Sequence, residues 1–237
     1  MKTETFNVHE FLAPYKEALE KSGLIRLKYY EYVIDKLVKL NRPIRVVETG
    51  TMWAPLSENM GAFTYIFADL IKNWTGGRLI TVDISETSIN NCKQYTKEFE
   101  DVIDYVLSDS VEYLESLSDE QVKELDFIYF DSYDLSVPDP VPSQLHHYRE
   151  LAAVYKRLRA DVILAVDDNF LPNTNIEWIM YQNGQVVDRP VYTSGPYRIL
   201  GKGTLIDHFL TTNGWQRNDS WTHLGHTHSY LFGYERA

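Results

Sequence analysis

The sequence predicts an α/β fold built on a parallel, doubly wound sheet, and three observations predict it. Short apolar runs alternate with stretches of helical periodicity through residues 43–169. The runs are apolar at consecutive positions, as strands buried on both faces must be. Two of them, Phe127-Ile-Tyr-Phe-Asp131 and Val162-Ile-Leu-Ala-Val-Asp167-Asp168, each deliver carboxylates at the C-terminal end, which is where open α/β sheets bind ligands.

The elements follow in order. Two helices are expected first, over roughly 7–22 and 26–41, from Phe11, Leu12 and Tyr15 and then Leu27, Tyr30, Val33, Ile34, Leu37 and Leu40 at helical spacing, with Asn41 and Pro43 ending the second. Strands are read at Ile44–Glu48, Leu79–Asp83, Ile103–Leu107, Phe127–Asp131 and Val162–Val166. Helices lie between them at roughly 59–73, 86–99, 110–117 and 143–159. Beyond the sheet, Trp178–Gln182 and Gln185–Val191 flank Asn183-Gly184, a hairpin signal. A helix at roughly 203–213 and an alternating strand at roughly 227–235 close the chain. One domain over 1–237 is expected, divided into N-terminal helices (1–42), a core (43–169), a hairpin insertion or lid (170–202) and a C-terminal helix and strand (203–237). The insertion, with its hairpin, Gly195-Pro196, Gly201 and Gly203, follows Asp167-Asp168 and reads as a mobile lid that excludes water and chooses the acceptor; a fixed edge hairpin is the other reading.

The 237 residues carry 34 acidic against 23 basic side chains, a formal charge of −11. That balance opposes nucleic acid, whose binding needs clustered Lys and Arg, and disfavours anionic membrane surfaces. A single cysteine, Cys92, makes no internal disulfide, no apolar run approaches a membrane span, and the N-terminus has no charged-then-apolar signal pattern. A cytoplasmic protein is expected.

The first strand runs Arg45-Val-Val-Glu48-Thr49-Gly50-Thr51-Met52. A dinucleotide site wants G-x-G-x-x-G to approach a pyrophosphate; only Gly50 is present, and Glu48 repels phosphate but suits the ammonium of a methionine-type ligand. Asp83, ending the second strand, can accept the two hydroxyls of a ribose, and Ser108-Asp109-Ser110 can frame an adenine or simply cap the next helix. Asp131, Asp167 and Asp168 emerging at one sheet edge call for a cation, and all-oxygen ligation favours Mg²⁺, Mn²⁺ or Ca²⁺. Asp134, His146 and His147 are candidate bases for an acceptor proton.

In this order of acids and glycine the chain resembles the class I S-adenosylmethionine-dependent methyltransferases, and within them the metal-dependent O-methyltransferases of sugar (macrocin) and catechol type. The resemblance spans roughly residues 40–170 and implies a Rossmann-like fold with a C-terminal antiparallel strand. It implies that Glu48 and Gly50 hold the methionine end of S-adenosylmethionine, with the adjoining Thr51 expected at the same cofactor loop, Asp83 its ribose, and Asp109 and Ser110 its adenine. It further implies Mg²⁺ on Asp131, Asp167 and Asp168; with Asp134 and His147 taken from the candidate bases above, Asp131, Asp134 and His147 are the expected catalytic set. The chain departs from the pattern at Thr51-Met52, at Asp134 where catechol-type enzymes carry a lysine, and at Arg159-Ala160-Asp161 in place of a Pro-Gly-Gly turn.

The implied partner is a small hydroxylated acceptor, sugar-type before phenolic, with a homodimer through the N-terminal helices left open. The aromatic content, 14% with 17 Tyr, suits such an acceptor: Trp53, Tyr133, Trp178, Tyr181, Tyr192 and Tyr197 lie in segments that can roof the crevice. His223, His226 and His228 form a further cluster, read as the packed or solvated face of the last strand rather than as a metal site. Methylation without a metal, and a non-catalytic binding protein on the same fold, are the alternatives.

Overall fold

Phe127, Tyr129, Ile128 and Phe130 are consecutive and all buried, so β4 needs cover on both faces, and every neighbouring element follows from that demand. The computed structural model describes residues 6–21, 24–56, 62–177, 179–182, 185–195, 199–218 and 230–236. Two short helices, α1 (Val8–Leu12) and α2 (Lys16–Lys21), precede the longer α3 (Leu24–Lys39). The expected first helix is broken at Ala13–Tyr15 into a tighter turn containing Pro14, which cannot donate an interior helical bond. Then follow β1 (Ile44–Thr49), α4 (Phe63–Leu70), β2 (Gly77–Asp83), α5 (Glu86–Tyr95), β3 (Ile103–Leu107), α6 (Ser110–Ser116), α7 (Asp119–Lys123), β4 (Phe127–Phe130), α8 (Val141–Val154) and β5 (Ile163–Phe170).

Strands β3-β2-β1-β4-β5 lie side by side and parallel. The order reverses beside β1, and the crevice opens at the carboxyl ends of β1 and β4. Alternation along each strand sends its side chains to two cores. Val46, Phe127, Tyr129, Ile163 and Ala165 pack against α3 and α4, while Val47, Ile128, Phe130, Leu164 and Val166 pack against residues of α6, α8 and the later helix α9 (Thr204–Thr212). Glu48, Asp131 and Asp167 continue the first of these faces, and so meet residues of α3 and α4.

Beyond β5, the insertion forms two small antiparallel pairs. These are β6 (Asn175–Glu177) with β9 (Val191–Thr193), and β7 (Met180–Gln182) with β8 (Gln185–Asp188). The turn at Asn183-Gly184 lies outside the described residues, as do Trp178, Tyr197, His223, His226 and His228. Strand β10 (Leu200–Gly201) pairs with the end of β5, and α9, β11 (Trp215–Asn218) and β12 (Tyr230–Arg236) complete the chain. β12 joins β5 antiparallel, as expected, and β11 lies outside it on the edge. Among the described residues no helix is long and apolar enough to cross a membrane.

Carboxylates at the two ends of β4 have different tasks. Asp126, at the amino end, is clamped by Arg42 (2.6 and 3.0 Å), by Arg159 (2.8 Å) and by the Arg45 amide (2.9 Å). These partners overcome its burial and hold its carboxyl below the usual range. Arg159, in the unusual turn before β5, therefore ties the foot of the sheet together.

Candidate active site

Gly50 shapes the crevice. Its φ of 81° lies in the left-handed region, and a Cβ there would sit 2.6 Å from the Asp131 carbonyl oxygen, so only glycine lets the loop after β1 cross β4 this closely. The following Thr51 amide donates to Asp83 Oδ2 at 3.2 Å, and the Ser85 amide donates to Oδ1 at 2.7 Å. Asp83 thus stands at the end of β2 in a fixed orientation, with burial raising its pKa. Beside it a cavity of about 210 Å³ is lined by Gly50, Ile84, Ser108–Ser110 and Tyr133. Ile84 is 74% exposed and lines this cavity, an apolar wall that suits the face of a flat ring.

Of the two readings for Asp109, the structure shows the cap: its side chain accepts from the Val111 amide (2.9 Å) and the Glu112 amide (3.1 Å) at the start of α6. Ser110 Oγ is bonded to His146 Nε2 at 2.9 Å. His146 therefore sits at the Asp83 end of the crevice. His147 does not reach the crevice at all. It is fully buried, its Nδ1 donates to the Ser143 carbonyl at 2.7 Å, and burial lowers its pKa to about 3. Its Nε2 faces Glu150 Oε2 at 4.0 Å, and burial raises the pKa of Glu150; both side chains are packed inside the fold, away from the crevice. The assignment of His147 as a base is corrected on that ground.

The larger, adjoining cleft brings together Glu48, Thr51, Trp53, Asp131, Asp134, Asp167 and Asp168. Glu48 is buried, accepts from Thr64 and Thr81 hydroxyls at 2.7 and 2.8 Å, and has its pKa raised by burial to about 8. Asp134 is exposed at the cleft edge. Trp53, 64% exposed, and Tyr133, 48% exposed, flank the opening, whereas Tyr192 lies out on β9.

Asp131, Asp167 and Asp168 converge as the sequence implied, but two cations of the protein are already among them. Arg26, from α3, makes a two-pronged pair with Asp167 at 2.5 and 2.9 Å, and Tyr129 Oη donates to the same carboxylate at 2.5 Å. The Asp168 amide also donates to Asp167 Oδ1, at 2.8 Å. Lys202 Nζ lies 2.6 Å from Asp131 Oδ1 and 3.1 Å from Asp168 Oδ2, with only 1% of its side chain exposed. Burial alone would weaken its hold on the proton, but Asp131, Asp168 and Asp167 outweigh burial and push its pKa up. For Asp131, burial and the two neighbouring carboxylates outweigh the lysine and raise the pKa. The donor set as it stands does not fit a divalent ion, because an ammonium bridges two of its members and the third has its oxygens filled.

Lys202 and Arg26 had no signal at the strand ends. The one local hint is the run Gly201-Lys202-Gly203. A Cβ on Gly201 would lie 2.3 Å from the Asp168 carbonyl oxygen, and one on Gly203 2.8 Å from Asn169 Oδ1, so these glycines allow the lysine's backbone to press against β5.

No family model and no curated protein sequence matches the chain. Solved structures resemble it. A candidate rRNA methylase from Clostridium thermocellum is 13% identical, with 85% of this chain and 94% of that one covered and a TM-score of 0.51. DhpI in complex with SAH is 13% identical over 97% of each chain, with a TM-score of 0.49. MycE, a methyltransferase of the mycinamycin biosynthetic pathway in complex with Mg and SAH, is 17% identical over 70% of this chain and 38% of its own, with a TM-score of 0.46. The first likeness, together with the strand order, gives this chain the Rossmann-like fold of the methyltransferases.

Proposed function

We propose that the chain is an S-adenosylmethionine-dependent methyltransferase acting on a hydroxyl oxygen of a small molecule, sugar-type before phenolic. The observation that carries this reading is the pairing, in one crevice at the switch point, of the Asp83–Ile84 cavity with an acidic cleft at the ends of β4 and β5. Asp83 would hold the ribose hydroxyls, Ile84 and Ser110 would frame the adenine, and the Gly50–Thr51 loop with Glu48 would meet the methionine end. When bound, the cofactor supplies an activated methyl group with a good leaving group.

The residues of the chain then have to orient and deprotonate the acceptor. Three carboxylates, Asp131, Asp167 and Asp168, against the two cations Arg26 and Lys202 leave one formal negative charge among these five side chains, and Asp83 and Asp134 line the same cleft. That charge favours a sulfonium cation beside it. Asp134, on the solvent side, is the group we assign to take the acceptor's proton. Trp53 and Tyr133 offer aromatic faces to the acceptor.

The reading is tested by following SAH release from S-adenosylmethionine over a panel of sugar and phenolic acceptors. Turnover with a hydroxylated acceptor that falls at least ~100-fold in Asp134→Asn supports it. Cofactor binding without turnover on any acceptor favours instead a binding protein on this fold.

A further inference from the structure

A lysine as deeply buried as Lys202 is rare in proteins, and one that lies among carboxylates on a cleft wall is rarer. Its position is built rather than incidental. The Lys202 amide donates to the Asp168 carbonyl at 3.2 Å, the Gly203 amide donates to Asn169 Oδ1 at 2.7 Å, and Asn169 Nδ2 ties back to the Val166 carbonyl at 2.9 Å. These bonds fix the junction of β10 and α9 onto the end of β5, so that Nζ projects between Asp131 and Asp168. The ammonium uses its donors on Asp131 Oδ1 at 2.6 Å, Asp168 Oδ2 at 3.1 Å and, at the longest reach, the Asp131 carbonyl at 3.4 Å.

We propose that Lys202 is the resident cation of this cleft: its ammonium takes the position between Asp131 and Asp168 that a divalent ion would otherwise occupy, and the site works without metal. An ion bound to the same two oxygens at about 2.1 Å would lie against the ammonium with like charge and nothing between them. Asp167 offers no alternative, since Arg26 and Tyr129 take its oxygens. The lysine differs from an ion in two ways. It cannot be removed by chelation, and it brings directional N–H donors, of which the one on the Asp131 carbonyl is the longest and the most readily exchanged for an acceptor oxygen. For its consequence in catalysis the inference rests on the methyl-transfer reading; the exclusion of metal does not.

Mn²⁺ titration followed by electron paramagnetic resonance separates the two. The wild-type protein is expected to show no saturable Mn²⁺ binding at millimolar concentration. Lys202→Ala and the nearer-isosteric Lys202→Gln, once checked for a cooperative melting transition, are expected to bind Mn²⁺ at least ~10-fold more tightly, and Asp168→Asn in the same background is expected to abolish that gain. Saturable wild-type binding that Asp168→Asn removes overturns the proposal, as does a folded Lys202 variant that binds no better than wild type. If neither variant folds, the wild-type titration decides alone: no saturable binding supports the proposal and binding that Asp168→Asn removes overturns it. S-adenosylmethionine binding, measured separately on the same samples, reports on the methyltransferase reading and not on this one.

Discussion

Replacing Arg26 by methionine strips Asp167 of its two-pronged partner while leaving a side chain of similar length in place. Arg26 and Asp167 are 11% and 2% exposed, so the orphaned carboxylate stays out of water. Removing one member of such a pair costs roughly 3–5 kcal/mol. Tyr129 and the Asp168 amide still donate to Asp167, which puts the expected loss near the lower end, at about 3 kcal/mol. For a chain of this size that is a fall in melting midpoint of roughly 6–12 °C. Urea unfolding at neutral pH measures it. In Arg26→Met/Asp167→Asn the buried charge is gone as well, and more than half of the lost stability should return. A single-variant loss under about 1 kcal/mol, or a double variant whose losses simply add, would refute the view that Arg26 exists to neutralise Asp167.

Other outcomes follow from the same geometry. Gly50→Ala forces a left-handed φ on alanine and a 2.6 Å contact with the Asp131 carbonyl, so stability should drop by about 1–2 kcal/mol from φ alone and cofactor affinity should fall with it, both read by melting with and without S-adenosylmethionine. Asp109→Ala removes the cap of α6 and should cost about 1 kcal/mol in urea unfolding. Burial holds the Glu48 carboxyl at about 8, so its contribution to stability is full below the ordinary carboxylate range and is lost as pH rises through the folded value, at roughly 1.4 kcal/mol per pH unit. His147, held at about 3, acts in the opposite sense, losing stability as pH falls from its ordinary value. Above about pH 6.5 only the Glu48 slope remains of the two. Melting midpoints of wild type should therefore decline between about pH 6.5 and 8 relative to Glu48→Gln, and parallel curves would count against a protonated Glu48.

The parallel strands were legible because burial on both faces leaves an unbroken apolar run. Ile103–Leu107 is found as read, and the other central strands shift only at their ends. β5 runs further than its apolar stretch, to Phe170, since β10 and β12 pair with its polar extension. That extension kinks at Asp168, whose φ is 49°. β11, Trp-Gln-Arg-Asn, carries no apolar run and is held by pairing with β12, so nothing local announces it. The acids at the strand ends could be read one at a time, and they do meet. Their partners could not: Arg26 stands 141 residues from Asp167 and Lys202 71 residues from Asp131, each in a segment whose own pattern gives no reason for a buried charge. Of the two histidines, His146 does reach the crevice, whereas His147 lies on the buried side of α8, and a helix start gives no local sign of which side is covered.

Calorimetric titration of S-adenosylmethionine into the wild-type protein, in EDTA and in Mg²⁺, with Asp83→Ala alongside, tests the central claim most directly. Saturable binding of equal affinity in both buffers, lost in the variant, is the predicted result. An absence of binding to the wild type, or binding that Asp83→Ala leaves untouched, would contradict a cofactor site at the ends of β1 and β2.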